Sequence, residues 1–220
     1  VQYDADSASG ILDANEANFG KRAIPGYHFD KADLIVSIGA DFLGTWLSPT
    51  EYTRQFASRR KVSKQERNLN RLIVFESNLS LTGSNADLRV PYKPSQEGQV
   101  VLKLYNEIAG LAGKPRLAGD GADLAGNAVS AYAKELWNNQ AKSLVVCGSN
   151  DPNVQQLVNG INVLLGNYGK TIDLNNHANI RRGSDKEVQA FVEELKAGQV
   201  DAVFFLDTNP VYTLPNGKDF

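Results

Sequence analysis

A chain of 220 residues can bury one large hydrophobic core or two small ones, and 42% hydrophobic with 22% charged residues is the composition of an ordinary globular protein. Lys and Arg number 23 against 25 Asp and Glu, a net charge of −2, so without a basic surplus nucleic acid is not expected as a partner. No apolar run approaches the roughly 20 residues of a membrane span, so no direct membrane insertion is expected, and the single cysteine, Cys147, excludes an internal disulfide, a Cys-built zinc site and a self-contained iron–sulfur cluster.

The start, Val1 to Gly10, is polar and acidic, unlike a signal peptide, and the sequence has no methionine. The chain is therefore expected to be a segment of a longer polypeptide that opens with irregular structure. Five short apolar runs read as strands: 34–38, 72–75, 144–147, 171–174 and 202–206. Most are continuous rather than alternating, the pattern of strands covered on both faces of a parallel sheet.

Helical stripes separate them. Ser48-Pro49-Thr50-Glu51 has the spacing of a capping box, with Pro in the first turn. Segment 58–70 is strongly polar and reads as a surface helix or loop. Apolar residues recur at helical spacing in Val101, Leu104, Tyr105, Ile108 and Leu111, then in Val129, Tyr132, Ala133, Leu136 and Trp137. Two more stripes follow, Val154, Leu157, Val158, Ile161 and Leu165, and then Val188, Phe191, Val192 and Leu195. Asp151-Pro152 and Ser184 to Glu187 sign the starts of the last two helices, each cap contributing about 1 kcal/mol.

Alternating strands and helices imply an α/β fold: parallel sheets with helices on both faces, built from Rossmann-like βαβ units. The breaker-rich stretch 113–127 is the candidate linker between a first α/β unit, 1–112, and a second, 128–220.

In open parallel sheets, ligands bind beyond the carboxyl ends of the strands. Those ends carry Gly39-Ala40-Asp41, Glu76-Ser77-Asn78, Gly148-Ser149-Asn150-Asp151 and Asp207-Thr208-Asn209-Pro210. Small residues admit a ligand to the backbone, and Asp, Glu or Asn can hydrogen-bond a ribose or a base. The same residue types also make turns and N-caps, so Gly39, Asp41, Glu76, Asn78, Gly148, Ser149, Asn150, Asp207 and Asn209 are candidates under both readings. Gly39 to Trp46 has P-loop spacing, but Thr45 replaces the required Lys and Trp46 the Ser or Thr; nor is it GxGxxG. Cys147 ends an apolar strand and reads as a small buried hydrophobe. His28 and His177 have no second ligand at metal spacing. Asn78-Leu79-Ser80 fits a glycosylation sequon by pattern alone. No catalytic constellation is visible.

The order of elements resembles the molybdopterin oxidoreductase family. Phe29 to Asp41 is similar to its strand-Gly-x-Asn segment. Leu72 to Asp87, with Thr82 and Ala86-Asp87, resembles the segment that begins Asp-Pro-Arg after a strand. Val90 to Gly98 matches the extended piece that follows, Leu165-Gly166-Asn167-Tyr168-Gly169 the later Leu-x-Gly-Asn-x-Gly element, and Asp207 to Pro210 the strand followed by Asn-Pro. Gly39 to Trp46 and Phe75 to Asp87 look most like the large iron–sulfur subunit of alternative complex III, a membrane-associated quinol:electron-acceptor oxidoreductase.

That resemblance implies a cofactor-less scaffold domain of an electron-transport subunit. Its partners would be the rest of the parent chain and other subunits of a respiratory complex, on the periplasmic side of a bacterial inner membrane. Two departures weaken anion binding: Asp41 stands where Asn is usual, and Glu76-Ser77-Asn78 where Asp-Pro-Arg is usual. The alternatives are an active molybdopterin enzyme, holding one arm of a molybdopterin guanine dinucleotide across the Gly39 and Gly148 turns, and a generic nucleotide-binding α/β module.

Overall fold

A computed structural model describes residues 1–62, 69–119, 127–214 and 217. Along the chain run α1 (Ser9–Phe19), β1 (Ile24–Tyr27), β2 (Leu34–Ile38), α2 (Pro49–Ser58), β3 (Arg71–Glu76), α3 (Leu81–Ser84) and β4 (Leu88–Pro91). They are followed by α4 (Glu97–Leu111), α5 (Ala128–Asn138), β5 (Ser143–Cys147), α6 (Pro152–Leu164), β6 (Ile172–Ala178), α7 (Asp185–Lys196) and α8 (Pro210–Thr213). The N-terminal stretch, expected to be irregular, thus carries a helix.

The main sheet is parallel, in the order β4-β3-β2-β5, with Ile35 opposite Leu72 on one side and Leu144 on the other. Side chains alternate across it. Leu34, Val36, Ile38, Ile73, Phe75 and Val145 meet the stripes of α4, α5 and α6. On the opposite face Ile35, Leu72, Val74, Leu144 and Val146 meet Leu12 of α1, Tyr52 and Phe56 of α2 and the buried rings of Phe29 and Phe42. Those two rings stack with centroids 4.2 Å apart. Each such side chain taken fully out of water contributes about 1.5–3 kcal/mol. Helices cover both faces, which is the α/β, Rossmann-like arrangement the apolar runs imply.

Strands from both sides of segment 113–127 enter this one sheet; residues 120–126 of the expected linker lie outside the described residues, as do 63–68 of the polar segment.

Two expected strands behave differently. Residues 171–174 do not extend the parallel sheet: Thr171 lies in the turn before β6 and 172–174 begin that strand, which pairs antiparallel with β1 through Tyr27 opposite Ile172 and Gly26 opposite Asp173. Residues 202–206 form no strand, and Phe204 is 90% and Leu206 86% exposed. The physical reason lies at the outer edge of β5, whose backbone is already bonded by side chains. Ser143 O accepts from the Thr171 hydroxyl (2.6 Å), Val145 O from Asn162 Nδ2 (2.8 Å) and Cys147 O from Gln155 Nε2 (3.0 Å), while Val145 N donates to Asn162 Oδ1 (3.2 Å). No ladder remains there for another strand to join.

The caps divide likewise. Asp151 accepts from Asn153 N and Ser184 from Glu187 N, as their spacing implies. Ser48 makes no such bond; Glu51 instead accepts from Gln55 Nε2 (3.0 Å), whose Oε1 is taken by Phe29 N–H (2.8 Å). The box gives way to a tertiary bond.

Candidate functional site

Strand order reverses between β2 and β5. From β2 the chain proceeds outward through β3 and β4, then returns to place β5 on the other side. The helices that follow, α2 after β2 and α6 after β5, lie on opposite faces, so a crevice opens at the carboxyl ends of these two strands.

Two glycines make its floor. Gly39 N–H donates to Phe75 O and Gly148 N–H to Ile38 O, each at 2.8 Å, carrying the ladder one residue past the strands. A Cβ on Gly148 would fall inside the Gly39 carbonyl. One on Gly39 would lie 2.8 Å from Glu97 Oε2 and 3.1 Å from the Tyr92 hydroxyl, and Gly39 has φ +62°. Only glycine meets both the spacing and the backbone angle. The crevice has a volume of about 180 Å³; Asp41, Ser149 and Asn150 flank the floor, and Asp6, Ser7 and Arg181 face them.

The candidate side chains are bonded chiefly to the protein itself. Asp41 Oδ1 accepts from the Thr82 N–H (2.9 Å) and hydroxyl (2.7 Å), pinning the turn after β2 to α3. Asn150 Oδ1 accepts from Gly10 N at the start of α1 (2.9 Å), and its Nδ2 donates to Asp185 Oδ2 (2.8 Å) and Ser7 Oγ (3.1 Å). Ser149 O accepts from Gln155 Nε2 (2.6 Å).

Glu76 stands outside the crevice. It is 4% exposed, accepts from the Ser80 N–H and hydroxyl, and pairs with Arg89. Asn78 is exposed on the adjoining turn. Asp207 and Asn209 are elsewhere altogether: they line a separate concavity of about 820 Å³ with residues 1–5, Val188 and Phe191, and Asn209 caps α8 by accepting from Tyr212 N. The fold therefore gathers Gly39, Asp41, Gly148, Ser149 and Asn150, and leaves the other four apart. Sequence reasoning missed Ser7, Arg181 and Asp185, which no motif marks because tertiary packing brings them in from remote segments.

Beneath the floor, Cys147 is buried; that burial, with the Glu97 carboxylate adding to it and the Ser149 N–H partly opposing, pushes its thiol up to about 12. A thiol so raised holds little thiolate at neutral pH. His28 bonds through its backbone to Thr171 O, whereas His177 Nδ1 is buried without a partner. Among the described residues no three metal-binding side chains converge, and no helix is long and apolar enough to cross a membrane.

The crevice is small and acidic for a pyrophosphate-bearing dinucleotide. Pockets for ligands of drug size span about 300–1,000 Å³, above the volume here. Asp6 and Asp41 line it against one cation, Arg181, whose Nη1 is 3.4 Å from Asp4 Oδ1. The N–H of Asn153 near the start of α6 is taken by Asp151 and that of Gly10 in α1 by Asn150, and these are donors an anion would need.

Fold and crevice together define a doubly wound, Rossmann-like α/β protein. No family model and no curated protein matches the sequence. Among solved structures the chain is similar to acetylene hydratase from Pelobacter acetylenicus, at a TM-score of 0.43 and 13% identity over 76% of this chain. It spans 25% of the length of that structure.

Proposed function

We propose that this chain is a cofactor-free, molybdopterin-oxidoreductase-like scaffold domain of an electron-transfer subunit, within a membrane-associated quinol-oxidising complex on the periplasmic side of a bacterial membrane. The observation that carries the proposal is the state of the switch-point side chains: Asp41 and Asn150 spend their polar atoms on Thr82, Gly10, Ser7 and Asp185. Where the resembled family has Asp-Pro-Arg, Glu76 turns its carboxylate inward to Ser80 and Arg89. A crevice tied off by its own side chains holds the sheet ends in register and offers an anion little. The domain's work in this reading is positional: it fixes the surfaces on which cluster-bearing segments and neighbouring subunits dock.

The test is pterin and metal analysis of the full-length protein isolated anaerobically from its native membrane. Iron without molybdenum, tungsten or oxidised-pterin fluorescence is the expected result. Pterin at one or more equivalents per chain overturns the scaffold reading.

A further inference from the structure

The apolar clusters on the two faces of the sheet contain no residue before Ala8 and none after Ala178. Helix α7 has an apolar stripe but no buried residue. Its Val188 and Phe191 line the larger concavity with residues 1–5 and 202–210, and Tyr3 donates to Thr213 Oγ1 at 2.6 Å. Residues 1–5 and 185–214 thus gather around a concavity of their own, beside the sheet's core rather than in it.

Polar contacts join this satellite to the body. Asp185 Oδ2 accepts from Asn150 Nδ2 (2.8 Å) and from the Ser7 hydroxyl (2.9 Å), and Asp185 N donates to Ser9 Oγ (3.2 Å). Lys186 pairs with Asp13 of α1 at 3.1 Å through a side chain 76% exposed. Arg22 donates to Arg182 O (3.1 Å) and Gly183 O (2.9 Å), anchoring the segment that leads into α7. The bonds of Asn150 and Ser7 to Asp185 are exposed and exchange readily with water, and the Lys186–Asp13 pair is screened by salt, whereas the clusters on the sheet are neither.

We propose that residues 1–5 and 185–214 form a cover that opens as a unit at the rim of the switch-point crevice, with the bonds from Asn150 and Ser7 to Asp185 as its latch. Opening releases Asn150 Nδ2 and the Ser7 hydroxyl, both in the crevice lining, from Asp185. Latch and crevice are therefore coupled through Asn150 and Ser7, which belong to both. Regions with little apolar burial open locally while the core stays closed. The inference goes beyond the scaffold reading and does not depend on it, since a cover can open over a crevice that takes no cofactor.

Hydrogen exchange read by mass spectrometry on the intact chain tests it, in dilute buffer and at about 1 M NaCl, where the screening length falls to about 3 Å. Asn150→Ala, which breaks the latch from the body side without altering α7, is compared in dilute buffer. The α7 amides should exchange about tenfold faster in high salt and in the variant, the 148–151 turn should follow them, and β2 and β5 should not change. If α7 protection is unchanged in the variant, or falls only in step with β2 and β5, the cover is wrong. Pterin content, read separately, does not bear on this result.

Discussion

Replacing Asn162 with leucine removes the side chain that closes the middle of β5's outer edge while nearly preserving its size. Asn162 is 1% exposed and makes four hydrogen bonds. It accepts from Val145 N (3.2 Å) and Asn167 Nδ2 (2.8 Å), and donates to Val145 O (2.8 Å) and Val158 O (3.0 Å). Leucine leaves the Val145 N–H and C=O and the Asn167 Nδ2 without those partners, at two positions that are each 0% exposed. Each stranded group costs about 1–3 kcal/mol. The added apolar burial returns about 1 kcal/mol, so for three stranded groups a net loss of about 5 kcal/mol is expected. Urea denaturation followed by far-UV circular dichroism should show a midpoint lower by about 1 M or more at an unchanged slope. A fall of less than about 0.3 M would mean that Val145 finds other partners, and the account of why the sheet ends at β5 would fail.

Three further outcomes follow from named contacts. Gly148→Ala drives a methyl into the Gly39 carbonyl and should cost about 2–3 kcal/mol, seen as a lowered thermal midpoint. Cys147, with its thiol raised to about 12 by burial, should react with a disulfide reagent at pH 8 on the order of a thousandfold more slowly than a free thiol. Stopped-flow absorbance reads the rate, and urea should restore it. At Asp87, burial pushes the carboxyl up, but the Arg60 guanidinium, the Leu72 N–H and the Arg71 charge outweigh it and hold it below the ordinary carboxylate range. A depressed folded-state value contributes stability that is present above the unfolded value of about 3.9 and lost as pH falls through the folded one. Asp87→Asn should therefore flatten the acid limb of the stability curve in urea titrations below about pH 4 and leave its shape at neutral pH unchanged.

How much of this was legible depended on how local each signal was. The runs at 34–38, 72–75 and 144–147 announced themselves because a strand covered on both faces must be apolar throughout. Ile24–Tyr27 escaped notice because Pro25 and Gly26 argue against a strand, and the structure admits them only where the pairing register shifts, at a two-stranded edge. Residues 202–206 erred in the other direction: their composition permits a strand, but the edge they would have joined is spent on Thr171, Asn162 and Gln155. At the crevice, small and polar residues after β2 and β5 were readable, as was their placement at a strand end. Whether Asp41 and Asn150 faced a ligand or their own chain was not, because Thr82 and Asp185, which decide it, lie 41 and 35 positions away.

The two glycines under the crevice also limit how it can vary. A side chain on Gly148 would meet the Gly39 carbonyl, and one on Gly39 would meet Glu97 and Tyr92 at a positive φ, so the floor presents only peptide groups and is blind to sequence change. Novelty in what this crevice admits or refuses comes from its walls, such as Asp41 and Ser149, and above all from its roof, Asp6, Ser7 and Arg181, which belongs to surface segments that tolerate substitution. A lineage of such proteins would keep one floor and rewrite the ceiling.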